Sequence, residues 1–245
     1  MTLDPLAPTR PISLRVFGSP AILGVAEADA FLAQRKRVAL LAYLAIARPD
    51  GWVRRDTMVG VFWPELDSTG ARTQLRKAVH ALRQLLGEDA ILGRGDDELR
   101  LDTTRVAVDA LDFDAALRDD RLAAALELHR ADLLEGFFGE TVEFEQWLEL
   151  TRAHYRERAA HAAWTLAERF EGTADVTLAA RWARKAARFV GVDERTVRKA
   201  MLLLQRAGDR SGAVQLYEEF RDRLRRELDV EPDAETQRLA ASLRS

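Results

Sequence analysis

Residues 68–102 read STGARTQLRKAVHALRQLLGEDAILGRGDDELRLD, and two patterns meet in them. At about 100° per residue, Leu75, Ala78, Val79, Leu82 and Leu86 fall on one face of a helix. Arg72, Thr73, Arg76, Lys77, His80, Arg83 and Gln84 fall on the other, and no acidic residue stands between Gly70 and Leu86. Ser68 or Thr69 can cap the start of this helix, and Gly87 suits its left-handed stop. Behind it, Ala90–Gly93 and Glu98–Asp102 are strand-like runs. They are joined by Arg94–Gly95–Asp96–Asp97, a turn with the Gly and Asp that a hairpin requires.

Working back from this stretch, residues 12–23 (ISLRVFGSPAIL) alternate around Gly18–Ser19–Pro20 and predict two short strands. Gln34–Ala47 carries Val38, Leu41, Ala42 and Ala45 at helical spacing, and Pro49, Asp50 and Gly51 break it. Trp52–Val53 adds a short strand. Asp56 then reads as the N-cap of a helix through Met58, Val59, Phe62 and Trp63, stopped by Pro64. Strands, three helices and a trailing hairpin make a winged helix.

From Asp109 onward the periodicity is helical. It predicts helices over Phe113–Leu117, Leu122–Leu134, Glu143–Phe170 (more than one helix), Val176–Phe189, Glu194–Ala207, Ser211–Leu228 and Ala234–Leu243. Asp175, Ala179, Ala180 and Trp182 recur as Asp209, Ala213, Val214 and Leu216, an offset of 34 residues. That is the period of tetratricopeptide (TPR) repeats, helical hairpins that bury their apolar stripe by stacking on neighbours. The fold class that follows is mainly α. A disordered tail over 1–11 precedes an N-terminal winged helix-turn-helix domain (α+β) over 12–104, followed by an all-α TPR-like repeat domain over 105–245. Phe137, Phe138, Phe144 and Trp147 read as packing of a loop between the two domains.

The chain has 245 residues and a net charge of −3, unusual for a nucleic-acid binder, so the distribution of charge matters more than its sum. Residues 1–104 hold 14 basic and 13 acidic side chains, and residues 105–245 hold 23 and 27. The local stripe on the third helix is therefore the informative feature. A major groove admits one α-helix, where Arg bonds guanine bidentately and Thr or Lys reaches bases or phosphates. The plainer alternative is a solvated face of a core helix. Arg54 and Arg55, ahead of the second helix, suit phosphate contact. Arg94 is the wing residue best placed to meet DNA. Asp96, Asp97 and Glu98 at the wing tip repel phosphate, so the tip is expected to stay clear of DNA or to face something basic.

Other chemistry lacks support. The sequence contains no cysteine, which excludes disulfides and thiolate metal sites. His154 and His161 stand seven apart without a third ligand, and no phosphate loop, nucleophile elbow or zinc-protease pair occurs. No enzyme activity, cofactor or metal is expected. Apolar runs such as Val38–Ala47 fall short of the ~18 residues of a membrane span. The N-terminus has no secretory apolar region, so the expected location is cytoplasmic.

Several runs resemble a known family. They are Arg35–Lys36–Arg37 with Leu40–Leu44, Arg55–Asp56, Phe62–Trp63–Pro64, and Arg72…Leu75–Arg76…Ala81–Leu82–Arg83…Leu86–Gly87. These resemble the OmpR-like winged helix of SARP-type bacterial transcriptional regulators. Asp132–Phe137, Trp147–Glu149, Gly208–Asp209 and Glu227–Thr236 are similar to their bacterial transcriptional activator domain. The resemblance implies binding to double-stranded promoter DNA at repeated half-sites, where a second copy can sit alongside. It also implies contacts with the RNA polymerase holoenzyme and a third helix that reads the major groove. Two departures are the acidic wing tip and Gly60, which costs about 1 kcal/mol relative to Ala inside a helix. Larger relatives carry an ATPase module after this region. The rival reading is a TPR-like protein–protein adaptor whose winged helix is non-functional.

Overall fold

The computed structural model describes residues 12–47, 51–138, 140–189, 191 and 193–244. The expected tail over 1–11 and the helix break at Pro49–Asp50 lie outside these residues. The chain divides into two units, one of residues 1–115 with 128–152, the other of residues 116–127 with 153–245.

The first unit holds β1 (Ile12–Arg15), β2 (Ala21–Leu23), α1 (Ala28–Leu32), α2 (Arg35–Ile46), β3 (Val53–Arg54), α3 (Arg55–Phe62), α4 (Ser68–Leu86), β4 (Ile91–Arg94), β5 (Glu98–Leu101) and β6 (Val106–Val108). The strands form two three-stranded sheets, ordered β2-β1-β6 and β3-β5-β4. The expected strands, three main helices and hairpin are present. α1 and β6 are additions. β6 runs parallel to β1 with Ser13 opposite Ala107, a pairing across the whole domain that no local pattern announces. Asp109, opening α5 (Asp109–Arg118), accepts the N–H groups of Val16 and Phe17 at 2.8 and 3.2 Å. This fixes the end of β1 to the start of the helix, and burial pushes the Asp109 carboxyl up from its ordinary pKa.

Both expected helix starts shift by a residue or two. α3 is capped by the extended Arg54, with Asp56 in its first turn, where a negative charge complements the helix dipole. α4 is capped by Asp67 rather than Ser68 or Thr69, since the Asp67 carboxylate accepts the Gly70 N–H at 2.7 Å. The helix predicted over Leu122–Leu134 stops at Leu128, forming α6 (Leu122–Leu128). The backbone beyond it pairs with β1's continuation instead. Gly18 donates to Asp132 O, Leu134 to Val16 O and Glu135 to Gly18 O, at 2.7–2.9 Å. Arg152 clamps this segment from α7 (Val142–Gly172), donating to Leu133 O and Leu134 O at 2.7 Å. α7 is one continuous helix of 31 residues, not several; it contains no Pro, and its one Gly is the last residue.

Phe144 and Trp147, at the start of α7, join Phe62 and Tyr43 in an aromatic cluster with centroids 4.7–5.6 Å apart. Phe137 is also buried, but Phe138 is 73% exposed. The aromatic group therefore packs within the first unit, on α2 and α3, with Phe138 left outside.

The second unit contains the rest of α7 with α8 (Val176–Phe189), α9 (Glu194–Arg206), α10 (Arg210–Leu228) and α11 (Ala234–Arg244). The 34-residue echo has a structural basis. Asp175 caps α8 through the Leu178 N–H and Asp209 caps α10 through the Gly212 N–H, at 3.0 and 2.7 Å. Ala179 and Ala213, one turn on, are both fully buried, small enough for close helix approach. Ala183, Ala187, Val197, Met201, Leu204, Leu216 and Phe220 continue the core. Two stacked helical hairpins are the TPR-like arrangement. Among the described residues no helix is long and apolar enough to cross a membrane.

A polar clamp closes this unit. Asp233 caps α11 through the Thr236 N–H at 2.7 Å, and the Glu194 carboxylate accepts the Asp233 N–H at 3.0 Å and the Thr236 hydroxyl at 2.6 Å. Arg198 donates to Asp233 and to the fully buried Thr236 at 2.7 and 2.9 Å. The Thr236 N–H, then its hydroxyl and Arg198, hold the Asp233 carboxyl down at about 2. A depressed carboxylate stabilises the fold above its ordinary pKa, and that contribution is lost as pH falls through the folded value. Acidification from about pH 4 to about pH 2 is therefore expected to loosen α11, read as faster amide exchange at Thr236. Arg198→Ala should move the onset to higher pH.

Candidate nucleic-acid interface

α4 forms because its apolar residues recur at helical spacing between an Asp67 cap and Gly87, whose φ of 101° ends it. Its inward face buries Ala71, Leu75, Ala78, Val79, Leu82 and Leu86, as the periodicity predicts. Arg72, Arg76, Lys77 and His80 stand exposed on the other face, with Thr73 half-buried among them. A groove of about 730 Å³ runs beside the helix, bounded by the start of α3 and the wing tip. It brings together Arg54, Arg55, Arg72, Arg76, His80 and Arg83 from the expected set, with Asp56, Asp96 and Asp97. Thr73 and Lys77 share the outward face of α4 without lining the groove, and Arg94 lies elsewhere on the wing.

Each side chain has its own restraint. Arg72 pairs with Asp56 at 3.0 Å, both well exposed. Arg76 donates to the Thr73 hydroxyl at 3.3 Å, which in turn donates to Thr69 O at 2.9 Å. Arg83 is half-buried and donates to Ile91 O through Nη2 at 2.9 Å and Nε at 3.3 Å. It therefore braces α4 against β4. Arg55 gives its backbone N–H to Asp97 O at 2.7 Å. Burial lowers the Arg55 guanidinium pKa, helped by the neighbouring charges of Arg83 and Arg76 and opposed by Asp96. The acidic wing tip thus faces something basic, the groove of its own domain.

Arg94 is bonded to Glu98, and its guanidinium lies 4.7 Å from the Trp52 ring centroid. Arg100 lies at the same distance from the same ring. Trp52 thus serves as a pedestal for two wing arginines. The sequence reading places Trp52 in a short strand with Val53, but the strand is Val53–Arg54 and Trp52 lies just ahead of it, held by stacking that no local pattern announces. The Arg72–Asp56 pair was equally hidden, because the partners are 16 residues apart on different helices.

Among the described residues no group of three potential metal ligands gathers. Residues 101–244 match the family described as "Bacterial transcriptional activator domain". Among solved structures, Mycobacterium tuberculosis EmbR, in complex with a low-affinity phosphopeptide, superimposes with a TM-score of 0.59 at 19% identity. The match covers 95% of this chain and 64% of that one, so this chain spans less than two thirds of EmbR's length. No curated protein matches the chain. At that identity the likeness establishes the fold: a winged helix followed by a TPR-like helical domain. The family match covers more than half the chain, and the protein belongs to the bacterial transcriptional activator domain family.

Proposed function

We propose that this protein is a sequence-specific DNA-binding transcriptional activator that inserts α4 into the major groove of promoter DNA. One observation carries the reading. The outward face of α4 is cationic and exposed, free of carboxylates of its own, while the opposite face is fully committed to the core. Arg76, Lys77, His80 and Thr73 are the base-facing set, and Arg54 and Arg55 take phosphate at the edge of the groove. Arg83, at the edge of the groove, braces the helix against β4. Family membership supports activation through RNA polymerase, and repeated half-sites would seat a second copy on the same promoter. The setting for this chemistry is the cytoplasm.

The test is selection of bound sequences from a random duplex pool with the full chain, followed by titration over a salt series. The expected result is one enriched motif, with affinity falling steeply as salt rises. The slope of log affinity against log salt gains about 0.9 in magnitude for each phosphate neutralised. A protein adaptor with an idle winged helix would enrich no motif and have no duplex affinity to lose. Addition of RNA polymerase holoenzyme to a template carrying the motif should then raise transcript yield.

A further inference from the structure

The groove beside α4 is not uniformly positive, since Asp56, Asp96 and Asp97 line it alongside Arg55, Arg72 and Arg76. One of these carboxylates is paired with a cation, and a second lines the groove beside one. Asp56, in the first turn of α3, holds Arg72 at 3.0 Å across the groove. The bond from the Arg55 N–H to Asp97 O draws the wing tip onto the start of α3 and keeps Asp96 in the groove with Arg55. The Arg55 Nε is enclosed and has no hydrogen-bond acceptor; burial, Arg83 and Arg76 disfavour its charge, and Asp96 is the neighbour that favours it.

We propose that Asp56 and Asp96 are built-in counter-ions of the DNA groove, Asp56 paired with Arg72 and Asp96 lying in the groove with Arg55, and that both compete with DNA phosphate for these cations. The proposal rests on the reading of α4 as the DNA-contacting helix. An arginine that meets phosphate releases condensed cations from the duplex, and that release drives binding of any sequence. An arginine already paired with a carboxylate gains less, because the exchange strands a negative charge beside a polyanion. The two aspartates therefore hold down affinity that depends on charge alone, and leave the base contacts of α4 to decide occupancy. This gives the acidic wing tip a function inside the site. The Arg72–Asp56 pair is solvent-exposed, and such pairs add little to folding, so its removal leaves the domain intact.

Asp56→Asn, Asp96→Asn and the double variant of the full chain should be titrated by fluorescence anisotropy against two duplexes. One carries the selected motif, the other the same bases scrambled, both over a potassium chloride series. Each single variant should bind both duplexes several-fold more tightly at low salt. Each should also steepen the salt slope by about 0.9, the double variant by about twice that. Asp56→Glu, which keeps the charge, should return the wild-type slope. Thermal melts matching the wild type establish that the fold is unchanged. Unaltered slopes, or weaker binding by Asp56→Asn, would overturn the proposal while leaving the DNA reading in place; weaker binding would mean that Asp56 steadies Arg72 for a base contact. A wild-type chain that binds neither duplex would overturn the DNA reading and the proposal together.

Discussion

Replacing Phe144 with alanine is expected to destabilise the N-terminal unit by about 3–5 kcal/mol. The ring is 1% exposed, and its centroid lies 5.3 Å from both Phe62 and Trp147. Phe62 is itself fully buried and meets Tyr43 edge-on at 5.6 Å, so one ring supports the junction of α2, α3 and the start of α7. Polar contacts hold the ring in place. Thr141 donates to Val61 O at 2.6 Å and accepts the Phe144 N–H at 3.2 Å. Truncation would leave a cavity that these bonds prevent from collapsing. Urea unfolding of the intact chain, followed by tryptophan fluorescence, measures the effect. Leu150→Ala, six residues along the same helix and 74% exposed, is the control and should change stability by no more than a few tenths of a kcal/mol. A Phe144→Ala variant as stable as that control would mean that the cluster does not hold the unit together.

This dependence bears on how the winged-helix unit is organised. The residues that complete its core come from beyond the wing, in 128–152, which also belong to the span matched by the activator domain family. Leu133, Leu134 and Phe137 are buried, and Arg152 fastens the carbonyls of the first two. Arg35 ties α2 to the same segment, donating to Phe138 O at 3.0 Å with its guanidinium 4.3 Å from the Phe137 centroid. Arg35, which opens a basic run in the sequence, therefore has a structural role.

What could be read from sequence was what is encoded locally. Both faces of α4 lie within nineteen consecutive residues, so the periodicity that identifies its core side also identifies its exposed cationic side. The hairpin behind it depends on the Gly95 turn and alternating burial of β5. The TPR-like echo was visible because the repeating Asp cap and buried Ala have the same chemistry in both copies. Features set by distant partners were hidden. The Leu122–Leu134 run has helical composition throughout, yet its end pairs with residues 16–18, because those backbone groups offer bonds that a solvated helix turn does not replace. β6 is three residues long and acquires its identity only from β1. Within the candidate site, the list of cations was legible, but their division of labour was not. Arg83 turns inward to Ile91, Arg94 lies on Trp52, and Arg72 is shared with Asp56. Each assignment depends on a residue that only the fold brings near.

That division leaves Arg76 and Lys77 as the most direct probes of the interface. Both are exposed on the outward face of α4. Among the described residues neither forms an ion pair, and Lys77 makes no hydrogen bond either. Neither touches the core, so the double variant Arg76→Ala, Lys77→Ala should keep the wild-type circular dichroism spectrum and melting temperature. Each substitution should weaken binding to the selected duplex by about 1–3 kcal/mol if the side chain meets bases, or flatten the salt slope by about 1 if it meets phosphate. The decisive measurement is a titration of the double variant beside the wild type, on the selected duplex, at two salt concentrations. The account predicts a loss of roughly 30-fold or more at the lower salt, from two contacts of at least about 1 kcal/mol each. Superimposable titration curves for variant and wild type, with the fold intact, would remove α4 from the interface and contradict the account.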